Sequence, residues 1–77
     1  MARIRLPAIS GRDAVRAFEA DGWQVARQSG SHIIMTKTGV PVTLSIPNHR
    51  ELKRGTLRGL IRNAGLDVQA FVEFLAG

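Results

Sequence analysis

The chain contains no cysteine. That excludes a disulfide framework and any thiolate metal site. Histidine is nearly as scarce: His32 and His49 are the only two. With scattered acids and no third ligand at a recognisable spacing, they supply poorly the four ligands of a structural zinc site. No metal and no cofactor are expected. Long apolar runs are missing too, and nothing approaches the roughly 20 residues that cross a bilayer as a helix. The opening "MARIRLPAIS" carries basic residues but no apolar signal core. The expectation is a soluble cytoplasmic protein with no membrane partner. The glycines do not follow GxxxxGKS or GxGxxG spacing, which removes the common nucleotide loops. No Ser-His-Asp arrangement is recognisable, and there is no repeat, linker or low-complexity segment.

Acid is the other shortage. Six Asp and Glu face eleven Lys and Arg in 77 residues, for a net charge of +5. The excess is concentrated between residues 27 and 62, where Arg27, Lys37, Arg50, Lys53, Arg54, Arg58 and Arg62 are opposed by Glu51 alone. Such a segment suits a polyanion, most often nucleic acid, although a merely solvated basic face has the same composition. The length allows one domain, 1–77, which buries only about 60% of the surface its unfolded chain exposes.

The patterning gives an element order. Residues 1–9 read as an extended arm. "ISGRDAVRAFEADG" reads as a helix, with Ser10 as cap, Asp13 in the first turn, Ile9 and Ala14 as a hydrophobic staple, and Gly22 as its stop. "WQVARQ" alternates like a half-buried strand, "SGS" turns the chain, and "HIIMTK" is a second strand. "TGVP" is a second turn, and "VTLSI" a third strand with Val42, Leu44 and Ile46 facing one way. Tight turns make this an antiparallel meander. "PNHRELKR" is a basic loop with room for a short helical turn. In "GTLRGLIRNAG", Leu57, Leu60, Ile61 and Ala64 recur at helical spacing, with Arg58 and Arg62 on the opposite face. Asp67 caps a last helix, residues 67–77, striped by Val68, Phe71, Val72 and Leu75. The class is α+β, with helices on one face of the sheet and the other face open.

Alternation then separates the residues of the second strand. Ile33 and Met35 belong on the covered side; His32, Ile34 and Thr36 fall on the open face. His32 stands at the strand start beside the Gly30 turn, where Gly30 and Ser31 leave backbone N–H groups and a hydroxyl free to approach an anion. A surface histidine without duty is the bland alternative. Against it stands the basic surround. Histidine moves protons near neutral pH without a metal, and RNA carries its own nucleophile in the 2′-OH. An enzyme need only deprotonate that hydroxyl, protonate the leaving 5′-oxygen and neutralise the phosphate.

"DGWQVARQSGSHIIMTK", "VTLSIPNH" and "LKRGTLRGLIRNAGL" together resemble the HicA-type toxins of bacterial toxin–antitoxin systems, from about Ser10 to Leu66. "GSH" alone arises by chance. A Gly-Trp strand, "GSH" heading the next, "IPNH" closing the third and "GTLRGLIRNAGL" as a helix form a specific set. The resemblance implies a fold like the double-stranded-RNA-binding domain, α-β-β-β-α, here with an extra C-terminal helix. It also implies a ribonuclease that cuts mRNA and is held inactive by a HicB-type antitoxin. The motif histidine maps to His32 as catalytic residue and the "P-x-H" histidine to His49 as support, alongside Ser31 and Gly30. Arg27, Lys37, Lys53, Arg58 and Arg62, with Arg50 and Arg54 behind them, are the expected RNA contacts. His32, Ile34 and Thr36 are the expected antitoxin contacts. The alternatives are a non-catalytic RNA-binding module of the same fold and a small interaction protein whose basic face binds an acidic partner.

Overall fold

The computed structural model describes residues 5–77; the first four residues of the expected arm lie outside the described residues. The order is α1 (Gly11–Ala20), β1 (Gln24–Ser29), β2 (His32–Lys37), β3 (Val40–Pro47), α2 (Arg54–Asn63) and α3 (Val68–Ala76). This is the expected α-β-β-β-α order with its additional helix.

Local chemistry starts and stops these elements where the sequence suggests. The Ser10 hydroxyl accepts from the Asp13 amide at 3.0 Å, and the Asp13 carboxylate accepts from the Ser10 amide at 3.4 Å. This reciprocal capping box satisfies two of the N–H groups that every helix start leaves without partners. At the other end Gly22 takes φ +100°, in the left-handed region that a side chain disfavours. Asp67 caps α3 by accepting from the Ala70 amide at 2.8 Å.

The three strands form one antiparallel sheet in the order β1-β2-β3. Ser29 pairs with His32, so the first hairpin closes with only Gly30 and Ser31 between strands. Gly30 has φ +60° and Ser31 does not share its sign, the φ pattern of a type II′ turn, whose twist matches that of the strands. Ile33 and Met35 are buried, as are Leu44 and Ile46 opposite them. α1 crosses this covered face to touch β1 and β3, α2 packs on β3, and α3 packs on α1 and α2. Trp23, Phe18 and Phe71 are the largest fully buried side chains, and the Phe18 and Phe71 rings meet at 5.1 Å with planes tilted by 52°.

Four expectations fail. β1 is not half-buried: all six of its residues are exposed, and Val25 stands 46% open. Ala26 is inserted as a bulge between the pairs Val25–Met35 and Arg27–Ile34, which breaks the alternation, and burial passes to Trp23 just before the strand. Val42 does not join Leu44 and Ile46 inside but is 41% exposed. The pairs Met35–Leu44 and Lys37–Val40 match two steps on β2 with four on β3, so this end of β3 bulges beyond the helical cover. The "TGVP" turn shrinks accordingly to Thr38 and Gly39, with Val40 and Pro41 drawn into the strand. Finally, the loop 48–53 holds bends but no helical turn, and its Leu52 is buried in the core.

α3 is an integral part of the core, since Phe71 is fully buried between α1 and the rest. Phe71→Ala is expected to cost about 3–5 kcal/mol, the usual range for a buried Phe truncated to Ala, read as a shift in the urea midpoint at unchanged slope.

Candidate functional site

The site is built where the start of β2 meets the end of β3. His32 opens β2 with Ser29 and Pro47 as its register partners on either side. It is exposed, and neither its imidazole nor that of His49 is hydrogen-bonded to another described residue. Cross-strand partners share a face. The open face therefore carries Gln24, Arg27 and Ser29 from β1, His32, Ile34 and Thr36 from β2, and Ser45 and Pro47 from β3. None of these is acidic. Ile34 and Thr36 are half-buried rather than fully exposed.

His49 follows two residues after Pro47, at the same end of the sheet as His32, and its segment is held by backbone on three sides. The Asn48 amide donates to the Ser31 carbonyl at 2.7 Å, carrying the β2–β3 pairing one step past His32. The Gly11 amide donates to the His49 carbonyl at 2.9 Å, and the Leu52 amide to the Ile9 carbonyl at 2.8 Å. Buried Leu52 pins the far end. The loop that leads to Arg50, Lys53 and Arg54 thus leaves from a rigid base, while those three side chains are exposed.

Gly11 is the residue that sequence reasoning missed. A Cβ at this position would overlap the Pro47 carbonyl and crowd the Asn48 α-carbon. Only glycine lets the start of α1 approach the "IPNH" segment this closely. The available signal was a glycine in the first helical position, directly after a good cap, where it adds nothing to the helix. Ser29 and Ser45 were missed as neighbours because register is a property of pairing, not of one strand.

The basic residues do not converge on one point. Arg27 lies on the open face opposite Ile34. Lys37 lies at the other end of β2, about 16 Å from His32 at about 3.3 Å per residue. Its ammonium is 3.3 Å from the Asp21 carboxylate, which also accepts from the Trp23 indole N–H at 3.2 Å. Arg58 and Arg62 are exposed on the outer side of α2, whose inner side buries Leu57, Leu60 and Ile61. They form a rim behind β3 rather than a wall of the open face. Among the described residues no three histidine or carboxylate side chains are grouped to share a metal ion.

The family model for the HicA toxin of bacterial toxin–antitoxin matches residues 11–66. The chain belongs to the HicA toxin family. A solved toxin–antitoxin complex from Streptococcus pneumoniae contains a chain 37% identical, superposing with a TM-score of 0.68 over 75% of this chain and 98% of that one. No curated protein matches well enough to count as a relative. The HicA match spans the capped α1, the whole sheet and α2, and ends at Leu66, so α3 with its buried Phe71 lies beyond it.

The Gly11 contact yields a prediction of definite sign. Helix propensity favours Ala over Gly by up to about 1 kcal/mol, but here the overlap with Pro47 opposes it. Gly11→Ala is expected to be net destabilising by about 1–3 kcal/mol, as for other overpacked sites. Backbone amide chemical shifts should move at residues 48–50 and stay in place at the Thr38–Gly39 turn.

Proposed function

We propose that this HicA-family chain is a metal-independent endoribonuclease that cuts mRNA, thereby inhibiting translation in the cytoplasm, and that His32 transfers a proton in the cleavage step. The observation that carries this reading is an exposed histidine at the head of the central strand, on a sheet face without any acidic residue. The chemistry needs little more. A base removes the 2′-OH proton, the 2′-oxygen attacks phosphorus, and the P–O5′ bond breaks as an acid protonates the departing 5′-oxygen. The products are a 2′,3′-cyclic phosphate and a free 5′-hydroxyl. Positioning and phosphate neutralisation carry the rest of the barrier.

In this reading His32 is the general acid or base. His49, tied by backbone to Gly11 and Ser31 through its own segment, supports the site, and the Gly30–Ser31 turn supplies amide and hydroxyl donors. Arg27 holds a phosphate on the open face, and Arg50, Lys53 and Arg54 guide the strand away from the histidines. Arg58 and Arg62 extend that path around α2. Lys37, committed to Asp21 at the distal end, reaches only a remote phosphate. A HicB-type antitoxin inhibits by covering His32, Ile34 and Thr36, with Ile34 as its apolar anchor, so antitoxin and RNA compete.

Wild-type protein should degrade mRNA in excess chelator, and His32→Ala should lose about 10²–10⁴-fold, the usual contribution of a general acid–base group. Its melting point should hold, since an exposed side chain is removed. His49→Ala should lose less; equal and non-additive losses would make the two histidines a coupled pair. If His32→Ala cleaves at the wild-type rate, the assignment of His32 is wrong; if the wild-type protein binds RNA without cutting it, the chain is an RNA-binding module instead.

Arg58→Gln with Arg62→Gln should weaken RNA binding. The slope of log K against log salt should flatten by about 0.7 for each phosphate that the pair no longer neutralises on a single strand. An unchanged slope would move the footprint off α2.

A further inference from the structure

The free edge of the sheet is a second unpartnered surface, and nothing in the cleavage chemistry uses it. Among the described residues β1 pairs with β2 alone, which leaves its outer backbone groups without a strand partner there along six exposed residues. In a two-residue hairpin the closing pair, Ser29 with His32, exchanges both ladder bonds. The next pair, Gln28 with Ile33, therefore turns its N–H and C=O groups outward. Beside this edge, between β1 and α1, runs a groove of about 260 Å³. Its floor is Val15, Val25 and Ile33, and Arg12, Arg16 and Glu19 stand along its helical side. Val25 is the most exposed large hydrophobic among the described residues.

An added strand would meet different chemistry on its two faces. Side chains on the α1 side would drop onto Val25 and Ile33, while those on the other side would meet Arg27, next to Ser29 and His32. The strand that fits alternates apolar and acidic residues, because side chains of a strand point to opposite faces in turn. A second copy of this chain fits poorly. Pairing β1 with itself would set Arg12 and Arg27 against their own duplicates, between two molecules each carrying +5, and the Ala26 bulge further blunts a self-matching edge. RNA has no backbone donors and acceptors spaced to extend a sheet and gains nothing from an apolar floor.

We propose that the antitoxin adds an extended, alternately apolar and acidic segment to β1 as a fourth strand, seated in the Val15–Val25–Ile33 groove. This rests on reading the chain as a toxin held by a protein antitoxin. Main-chain bonds along the edge would supply affinity and the groove specificity. The same segment would bring carboxylates to Arg27 at the margin of the open face.

The test uses the purified toxin, its cognate antitoxin purified separately, and two variants in the groove, on the side of the sheet away from the open face that carries His32. Val25→Glu puts a charge on the groove floor and Arg12→Glu reverses the rim. Each is expected to weaken antitoxin binding at least tenfold, with RNA cleavage within twofold of wild type, and Arg12→Glu should also flatten the salt dependence of association. In the wild-type complex the Gln28 amide should gain protection from hydrogen exchange. Wild-type affinity in both variants, or an unprotected Gln28 amide, overturns the edge-strand proposal while leaving the toxin reading intact. A wild-type protein that binds no antitoxin and cleaves no RNA overturns that underlying reading instead. Loss of RNA affinity in Val25→Glu would make the groove a nucleic-acid surface, and a wild-type dimer dissolved by Val25→Glu would make it a self-association edge. Either result also overturns the proposal.

Discussion

The close approach of Gly11 to the Pro47 carbonyl organises the histidine end of the molecule. At that point the first turn of α1, the last residue of β3 and, through Asn48 and Ser31, the first residue of β2 are drawn together. A side chain at position 11 would push the three apart, and both histidines depend on their junction. His32 stands on the strand that Ser31 introduces, and His49 hangs from the segment that Gly11 holds. The fold thus puts a close backbone approach beneath its two exposed histidines. Side chains mounted on a rigid base lose less freedom when they meet a substrate, which is how positioning contributes to rate.

Around that junction the molecule divides its work by face. One face of the sheet is closed by α1 and α2, with α3 completing the core from behind through Phe71 against Phe18. Among the described residues no helix packs on the other face, and that face holds no carboxylate. The three aspartates are placed where they do structural work: Asp13 in the α1 cap, Asp21 between Lys37 and Trp23, Asp67 in the α3 cap. The positive field around His32 therefore arises as much from where acids are absent as from where arginines are present. Such a field steers a polyanion toward the face and speeds encounter with an acidic protein.

The basic residues also show why charge in a sequence is not yet a binding site. Lys37 lies within the basic segment, yet it is spent on Asp21 at the far end of β2. Arg58 and Arg62 keep their helical spacing but look outward from the covering layer. Among the described basic residues, only Arg27 is placed by its pairing on the open face with His32. A footprint that joins them must bend around the β3 side of the sheet, past the Arg50–Arg54 loop.

What the sequence by itself determined was everything governed by short-range spacing. Ser10 with Asp13, and Asp67 with the start of α3, specify helix starts because caps act within three residues. Ile33 and Met35 against His32, Ile34 and Thr36 specify the two faces of β2 because side chains on a strand alternate. The Gly-Trp, "GSH", "IPNH" and "GTLRGL" stretches were legible as a set, and so the family was too. Only the tertiary structure decided where the helical cover ends. It left β1 and Val42 exposed by inserting bulges that no local pattern announces. It also buried Leu52 in a segment that reads as a polar loop, and paired Lys37 with an aspartate far away in the chain. The reason is the same in each case: register, edge position and long-range ion pairs depend on which elements meet, and that is settled by packing the whole core rather than by any one stretch of residues.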